Sequence, residues 1–230
     1  MSTTSYAVAP PPVPSVPVIG SGQRFPVRRI FCVGRNYAAH VREMGGDTAR
    51  EKPIFFTKPA DAIVPDGADV PYPSATSDLH HEVELVLAIG QGGVDMSVEA
   101  AEAAIWGWAV GVDFTRRDLQ AEAKSKGQPW DTAKAFDASA PIGAITPRSA
   151  VPRAAGHIRL SVNGAQRQDA DLSDMIWSPT EIVMAASRLW RLMPGDLIYT
   201  GTPEGVAAVQ RGDKVECAID GLAPLSFRMV

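Results

Sequence analysis

His81-Glu82-Val83-Glu84-Leu85-Val86-Leu87-Ala88-Ile89 is an apolar run carrying two carboxylates near its start. Its length, its branched residues and the turn Gly90-Gln91-Gly92-Gly93 that closes it predict a buried strand. Alternate residues of a strand share a face, so Glu82 and Glu84 project side by side. Two buried carboxylates that close repel each other, and one must stay protonated unless a positive charge joins them. A divalent cation answers that need, and an all-oxygen donor set suits Mg²⁺, Mn²⁺ or Ca²⁺.

On either side of this strand the chain reads as short elements. Ile30 to Val33 and Lys52 to Thr57 predict two strands, the second stopped by Pro59. Ser97 or Asp95 can cap a helix over Val98–Ala104, and Trp106–Phe114 predicts a strand that carries Asp113 near its end. Arg116–Lys126 reads as helical, closed by Gly127 and Pro129. Ser178-Pro179-Thr180-Glu181 is a capping box, after which Ile182, Val183, Ala186, Leu189, Trp190 and Met193 recur at helical spacing up to Pro194-Gly195. Further short strands are expected around Ile158–Val162, Leu197–Thr200 and Lys214–Ile219. Few helices, many short strands and no regular strand–helix alternation predict a mixed α+β, strand-dominated domain.

Residues 1–26 differ from the rest. Six prolines fall within the first 27 residues, so residues 1–26 read as an extended proline-rich arm and residues 27–230 as the globular domain. The valines of the arm and Ile19 leave room for packing on the body or on a second subunit.

The chain has 230 residues, 45% hydrophobic and 21% charged, with a net charge of −4, the balance of a soluble globular protein. Its basic residues form no long run, which argues against nucleic acid or an anionic membrane as partner. No apolar stretch reaches the roughly 18–20 residues of a membrane span, and the proline-rich start lacks the form of a secretion signal. Cys32 and Cys217 stand far apart in apolar surroundings and read as small buried hydrophobes. A reduced, cytoplasmic setting is expected.

Several other residues carry potential chemistry. His40 and Glu43 are three apart, neighbours on one helix face, where the carboxylate can fix the imidazole tautomer for a base or simply form a surface pair. His80 falls on the glutamate side of the strand and His81 on the other. Asp113 stands where a strand ends and a helix starts, fit to bind a metal or to cap that helix. Lys134, alone among small and apolar residues, either enters a cleft or stays exposed. Tyr199-Thr200-Gly201-Thr202-Pro203-Glu204-Gly205 is a turn whose glycines allow backbone N–H groups close to a ligand oxygen.

Taken in order, these segments resemble the fumarylacetoacetate hydrolase family, and in particular its compact acylpyruvate-cleaving members. The matching stretches include Gly34-Arg35-Asn36-Tyr37, His40-x-x-Glu43, Lys58-Pro59, His80-His81-Glu82-x-Glu84-Leu85, Asp113-x-Thr115-x-Arg117-Asp118, Gln120, Lys126-Gly127-x-Pro129-Trp130, Lys134-x-Phe136-Asp137 and Thr200-Gly201-Thr202-Pro203-x-Gly205-Val206. The resemblance implies a β-roll with short peripheral helices and a homodimer. It implies one Mg²⁺ or Mn²⁺ per subunit on Glu82, Glu84 and Asp113, chelated by the carboxylate and 2-oxo group of a 2,4-diketo acid. It gives His40 and Glu43 the activation of water from a short lid helix, Lys134 the stabilisation of negative charge, and Gln120 and Thr202 the positioning of the attacked carbonyl. Arg35, Tyr37 and Arg117 become candidates for substrate contact.

The implied reaction is hydrolysis of an acylpyruvate. Fumarylpyruvate, cleaved to fumarate and pyruvate in gentisate-type aromatic degradation, is favoured because Gly46 to Pro59 is most like the bacterial enzymes for it. Arg50, Lys52 or Arg35 are candidates for its distal carboxylate. The alternatives are an oxaloacetate decarboxylase or an isomerase/decarboxylase of a related keto acid. A non-catalytic cation-binding module would leave His40, Glu43 and Lys134 without a task.

Overall fold

The computed structural model describes residues 5–45, 52–65 and 67–230. The strand Val83–Ile89 is its centre, with every residue buried. It pairs antiparallel with Asp196–Tyr199 on one side and with Ile105–Val112 on the other. The sheet continues through Arg29–Gly34 to Ile54–Lys58 at one end, and through Ala140–Ile142 to Ile63–Pro65 at the other. Two of its pairings are parallel, Asp196–Tyr199 with Arg29–Gly34 and Ala140–Ile142 with Ile63–Pro65, so the sheet is mixed.

Both faces of the sheet are covered, which is why the run alternates apolar residues to two sides. Leu85, Leu87 and Ile89 enter one core, shared with Ile158, Leu160, Val215 and Cys217 of a four-stranded antiparallel sheet. Val86 and Ala88 enter a second core with Ile30, Cys32, Leu197 and Tyr199. Val16, Val18 and Phe25 close that second core from the arm, where Ser15–Pro17 and Arg24–Pro26 form a ribbon. Ile19 remains 46% exposed. Cys32 and Cys217 are buried free thiols.

The helices are short and peripheral: α1 (Ala38–Glu43), α2 (Val98–Ala104), α3 (Arg117–Lys126), α4 (Asp131–Lys134) and α5 (Pro179–Leu189). Ser97 caps α2, and Ser178 with Glu181 forms the capping box of α5. Helix α5 ends at Leu189, short of the Met193 expected from periodicity, because Trp190 turns to extended backbone. Its ring then packs 4.9 Å from Phe31 and 5.6 Å from Phe55, so tertiary packing overrides the helical pattern. The strand-dominated α+β architecture with a curled mixed sheet and short helices agrees with the sequence reading.

Candidate metal centre and active site

Glu82 sits in a one-residue break between two strands, Leu79–His81 and Val83–Ile89, that belong to different sheets. Its carbonyl accepts the Asp113 N–H at 2.8 Å, which brings the end of Ile105–Val112 level with the glutamates. Glu82, Glu84 and Asp113 are buried and offer oxygens that all lie within 4.8 Å of one another.

The three carboxylates are not equivalent. Lys134 Nζ bridges Glu82 Oε2 at 2.8 Å and Asp113 Oδ2 at 2.6 Å. Arg117 Nη2 meets Glu82 Oε1 at 2.5 Å. Lys58 Nζ lies 2.9 Å from Asp113 Oδ1, an ion pair without hydrogen-bond alignment, and donates to the carbonyls of Phe114 and Lys134. Among the described residues, Glu84 has only the Gly201 N–H, at 2.7 Å.

The electrostatics follow. Burial raises the Glu82 carboxyl, but the Lys134 ammonium and Arg117 guanidinium outweigh it and hold Glu82 well below the usual carboxylate range. Burial disfavours the charged form of Lys134, but Asp113 and Glu82 reverse this and raise its pKa. For Glu84, burial and the negative charges of Asp113 and Glu82 push the carboxyl well above its ordinary value, against the Gly201 N–H and the more distant Lys134 charge. A buried carboxylate beside two others, with no ion-paired cation among the described residues, is a donor that a hard divalent cation satisfies. The residues present therefore fit Mg²⁺ or Mn²⁺.

Around the carboxylates lies a cavity of about 50 Å³, lined by His40, Arg35, Gln120, Lys124 and Thr202 among others. A second, of about 420 Å³, adjoins it and shares Phe56, Trp130 and Lys134. A third, of about 610 Å³ between α5 and the 148–156 loop, contains none of the expected site residues. Chemistry rather than size locates the site.

His40 and Glu43 lie on α1, with His40 Nδ1 3.1 Å from Glu43 Oε2. Glu43 also accepts the Gly205 N–H, which ties α1 to the Thr200–Gly205 turn. Gly201 and Gly205 both have left-handed backbone, φ 97° and 89°, open to glycine without strain. A Cβ on Gly205 would stand 2.1 Å from the Arg167 carbonyl oxygen, so the turn packs directly on the strand Ala165–Asp171.

Other expected residues fall as follows. Gln120 Oε1 accepts from Arg117 Nη1 at 2.7 Å, leaving its amide N–H groups to donate. Arg35 lines the cavity from a left-handed backbone with φ 60°. Tyr37 does not line it: the residue is 1% exposed, before the first turn of α1. His80 stands behind Arg117, accepting its Nε at 3.4 Å while pairing with Asp78. His81 is fully buried on the other side and meets Gln168. Lys52 is exposed, and Arg50 lies outside the described residues.

Three positions had no role in the sequence reading. Lys58 enters the sequence reading only within the Lys58-Pro59 match, yet it is the one buried residue of the strand Ile54–Lys58. Asn36 donates to the carbonyls of Trp177 and Thr200, joining the Gly34–Tyr37 turn to the site. Gln168 is the one buried residue of the polar strand Ala165–Asp171.

Residues 29–230 match the family model described as Fumarylacetoacetate (FAA) hydrolase C-terminal. The chain is 45% identical over 181 residues to a fumarylpyruvate hydrolase of Ralstonia sp, covering 79% of this chain and 94% of that protein. It is 42% identical over 203 residues to an oxaloacetate tautomerase of Rattus norvegicus, covering 88% and 91% respectively. Among solved structures, fumarylpyruvate hydrolase from Pseudomonas aeruginosa, in complex with Mn²⁺ and pyruvate, superposes with a TM-score of 0.96 at 52% identity, covering 98% of this chain and 99% of that one.

Proposed function

The chain belongs to the fumarylacetoacetate hydrolase family, and on that premise we propose that it hydrolyses the carbon–carbon bond of an acylpyruvate, with fumarylpyruvate as substrate. Water adds across the bond between the distal carbonyl and the adjacent methylene. Its oxygen goes to the acyl carbon, giving fumarate, and a proton goes to the methylene, giving pyruvate.

The observation that carries this reading is that His40, held by Glu43, lines one cavity with the three carboxylates. Glu82, Glu84 and Asp113 would hold one Mg²⁺ or Mn²⁺ per subunit, and its chemistry there would be to stabilise negative charge on the departing pyruvate unit. Glu43 engages His40 Nδ1, which leaves Nε2 to take a proton from water. Lys134 keeps its proton and its positive charge beside the carboxylates. Gln120 and Thr202 present polar groups to the attacked carbonyl.

Fumarylpyruvate is favoured over acylpyruvates without a second carboxylate by Arg35 and Lys124. Both line the cavity, and neither has a carboxylate partner among the described residues. Desolvation and the neighbouring Arg117 and Arg35 lower the Lys124 pKa, against an opposing pull from Glu82. The similarity to oxaloacetate tautomerases supports a second reading, proton transfer on oxaloacetate, which also ends in a second carboxylate. Product analysis with fumarylpyruvate and oxaloacetate separates the two.

The reading includes a homodimer in the cytoplasm, and an arm of residues 1–26 joined to a catalytic domain of residues 27–230. Among the described residues, no helix is long and apolar enough to cross a membrane.

A further inference from the structure

Gln168 belongs to the strand Ala165–Asp171, whose other residues are exposed or half-buried, yet it is only 1% exposed. An irregularity in the pairing with His157–Val162 falls at this point, Leu160 opposing Gln168 and Ser161 opposing Gln166. Pairing with the fully buried Leu160 puts the Gln168 side chain on the inward face of its strand, where it meets Thr202.

The carboxamide has only one possible orientation. Its Oε1 accepts the Val83 N–H at 3.1 Å, and its Nε2 donates to the Pro203 carbonyl at 2.9 Å. A backbone N–H cannot accept and a carbonyl cannot donate, so oxygen and nitrogen cannot exchange places. Two consequences follow. His81 Nδ1, 3.0 Å from Oε1, must carry the ring proton. Thr202 Oγ1, 2.8 Å from Nε2, must accept. With its oxygen engaged as acceptor, Thr202 keeps its own hydroxyl proton, which is given to no partner among the described residues. Thr202 is 3% exposed and lines the catalytic cavity.

We infer that Gln168 is a positioning residue that fixes the Thr202 hydroxyl as a hydrogen-bond donor into the active site. The role rests on the acylpyruvate reading, in which negative charge develops on the attacked carbonyl oxygen. A preset donor there stabilises the transition state without reorienting. The same carboxamide joins Thr202 to Val83, next to Glu82, so the donor and the carboxylates share one support.

The test is a double-variant cycle on the full chain with Mn²⁺, using Gln168→Glu, Thr202→Val and both together. Gln168→Glu keeps the shape but puts an acceptor where Nε2 donates, so the Thr202 hydroxyl turns to it and away from the cavity. Each single variant is expected to lose about 100-fold in kcat on fumarylpyruvate, the scale of one lost oxyanion donor, with KM nearly unchanged. The double variant should be no slower than Thr202→Val. Independent losses that multiply in the double variant, or full kcat in Gln168→Glu, overturn the role. Should Gln168→Glu not fold, Gln168→Met enters the same cycle with the same criteria. A further arm needs no turnover and stands even if the parent cleaves no acylpyruvate: ¹⁵N-histidine spectra should show His81 as the Nδ1–H tautomer. An Nε2–H tautomer in the parent means a reversed carboxamide and overturns the inference.

Discussion

Glu43 accepts the Gly205 N–H at 3.0 Å while its other oxygen lies 3.1 Å from His40 Nδ1. One carboxylate thus orients the imidazole and anchors the helix that carries it to the turn that carries Thr202. The orientation of the proposed base and the tie between α1 and the turn are the same contact.

Gly205→Ala should break that contact. Its Cβ would meet the Arg167 carbonyl, and alanine is strained at φ 89°. A loss of roughly 1–3 kcal/mol in stability is expected, together with a fall in kcat larger than the change in Mn²⁺ affinity. Thermal unfolding and kinetics measure both; parental stability and turnover would show that the turn has freedom the packing denies.

Glu84 gives the pH dependence. Its pKa in the metal-free fold is raised above the ordinary 4.5 by burial and then by Asp113 and Glu82. The stability it contributes is therefore complete below about pH 4.5 and is lost as the pH rises through the raised value. Binding of Mg²⁺ or Mn²⁺ displaces that proton, so the stabilisation by metal should grow with pH over the same window. Glu84→Gln is expected to flatten the fall in the metal-free Tm and to abolish the response to Mn²⁺. Comparing variant with parent separates Glu84 from Glu82, whose lowered pKa acts in the opposite direction. A variant that still responds to Mn²⁺ like the parent removes Glu84 from the ligand set.

Lys58→Met should be costly without touching the proposed base. It strips Asp113 Oδ1 of its cation and leaves two buried carbonyls, those of Phe114 and Lys134, without their donor. Removing one partner of a buried pair costs about 3–5 kcal/mol. Chemical denaturation reads this; a loss below about 1 kcal/mol would mean that Lys134 alone holds Asp113.

The sequence made some of these residues readable and concealed others for physical reasons. Glu82 and Glu84 stand out because period-two spacing in an apolar run has no other economical explanation, and Asp113 because it closes the next such run. The partners of Lys134 lie 21 and 52 residues away at strand ends, so local pattern could not tell a cleft from a solvated face. Gln168 is concealed more deeply, since the polar residues around it in Ala165–Asp171 are exposed or half-buried and only its pairing with the buried Leu160 of another strand puts it inside. The end of α5 was overstated because Trp190 suits a helix by spacing but a core by packing.

Lys124→Met tests the distal end of the substrate. KM for fumarylpyruvate should rise about tenfold, equivalent to ~1.4 kcal/mol, while KM for acetylpyruvate, which lacks the second carboxylate, stays within about twofold. Equal effects on both would place Lys124 outside the distal contact.

The most direct measurement incubates fumarylpyruvate with the purified protein and Mn²⁺, and follows products by NMR for the parent and for His40→Ala. The parent should release fumarate and pyruvate in equal amounts, and His40→Ala should lose about 10²–10⁴-fold of that rate, the scale of a lost general base, while binding Mn²⁺ as before. Intact fumarylpyruvate beside rapid interconversion of oxaloacetate tautomers, or near-parental cleavage by His40→Ala, would contradict the account.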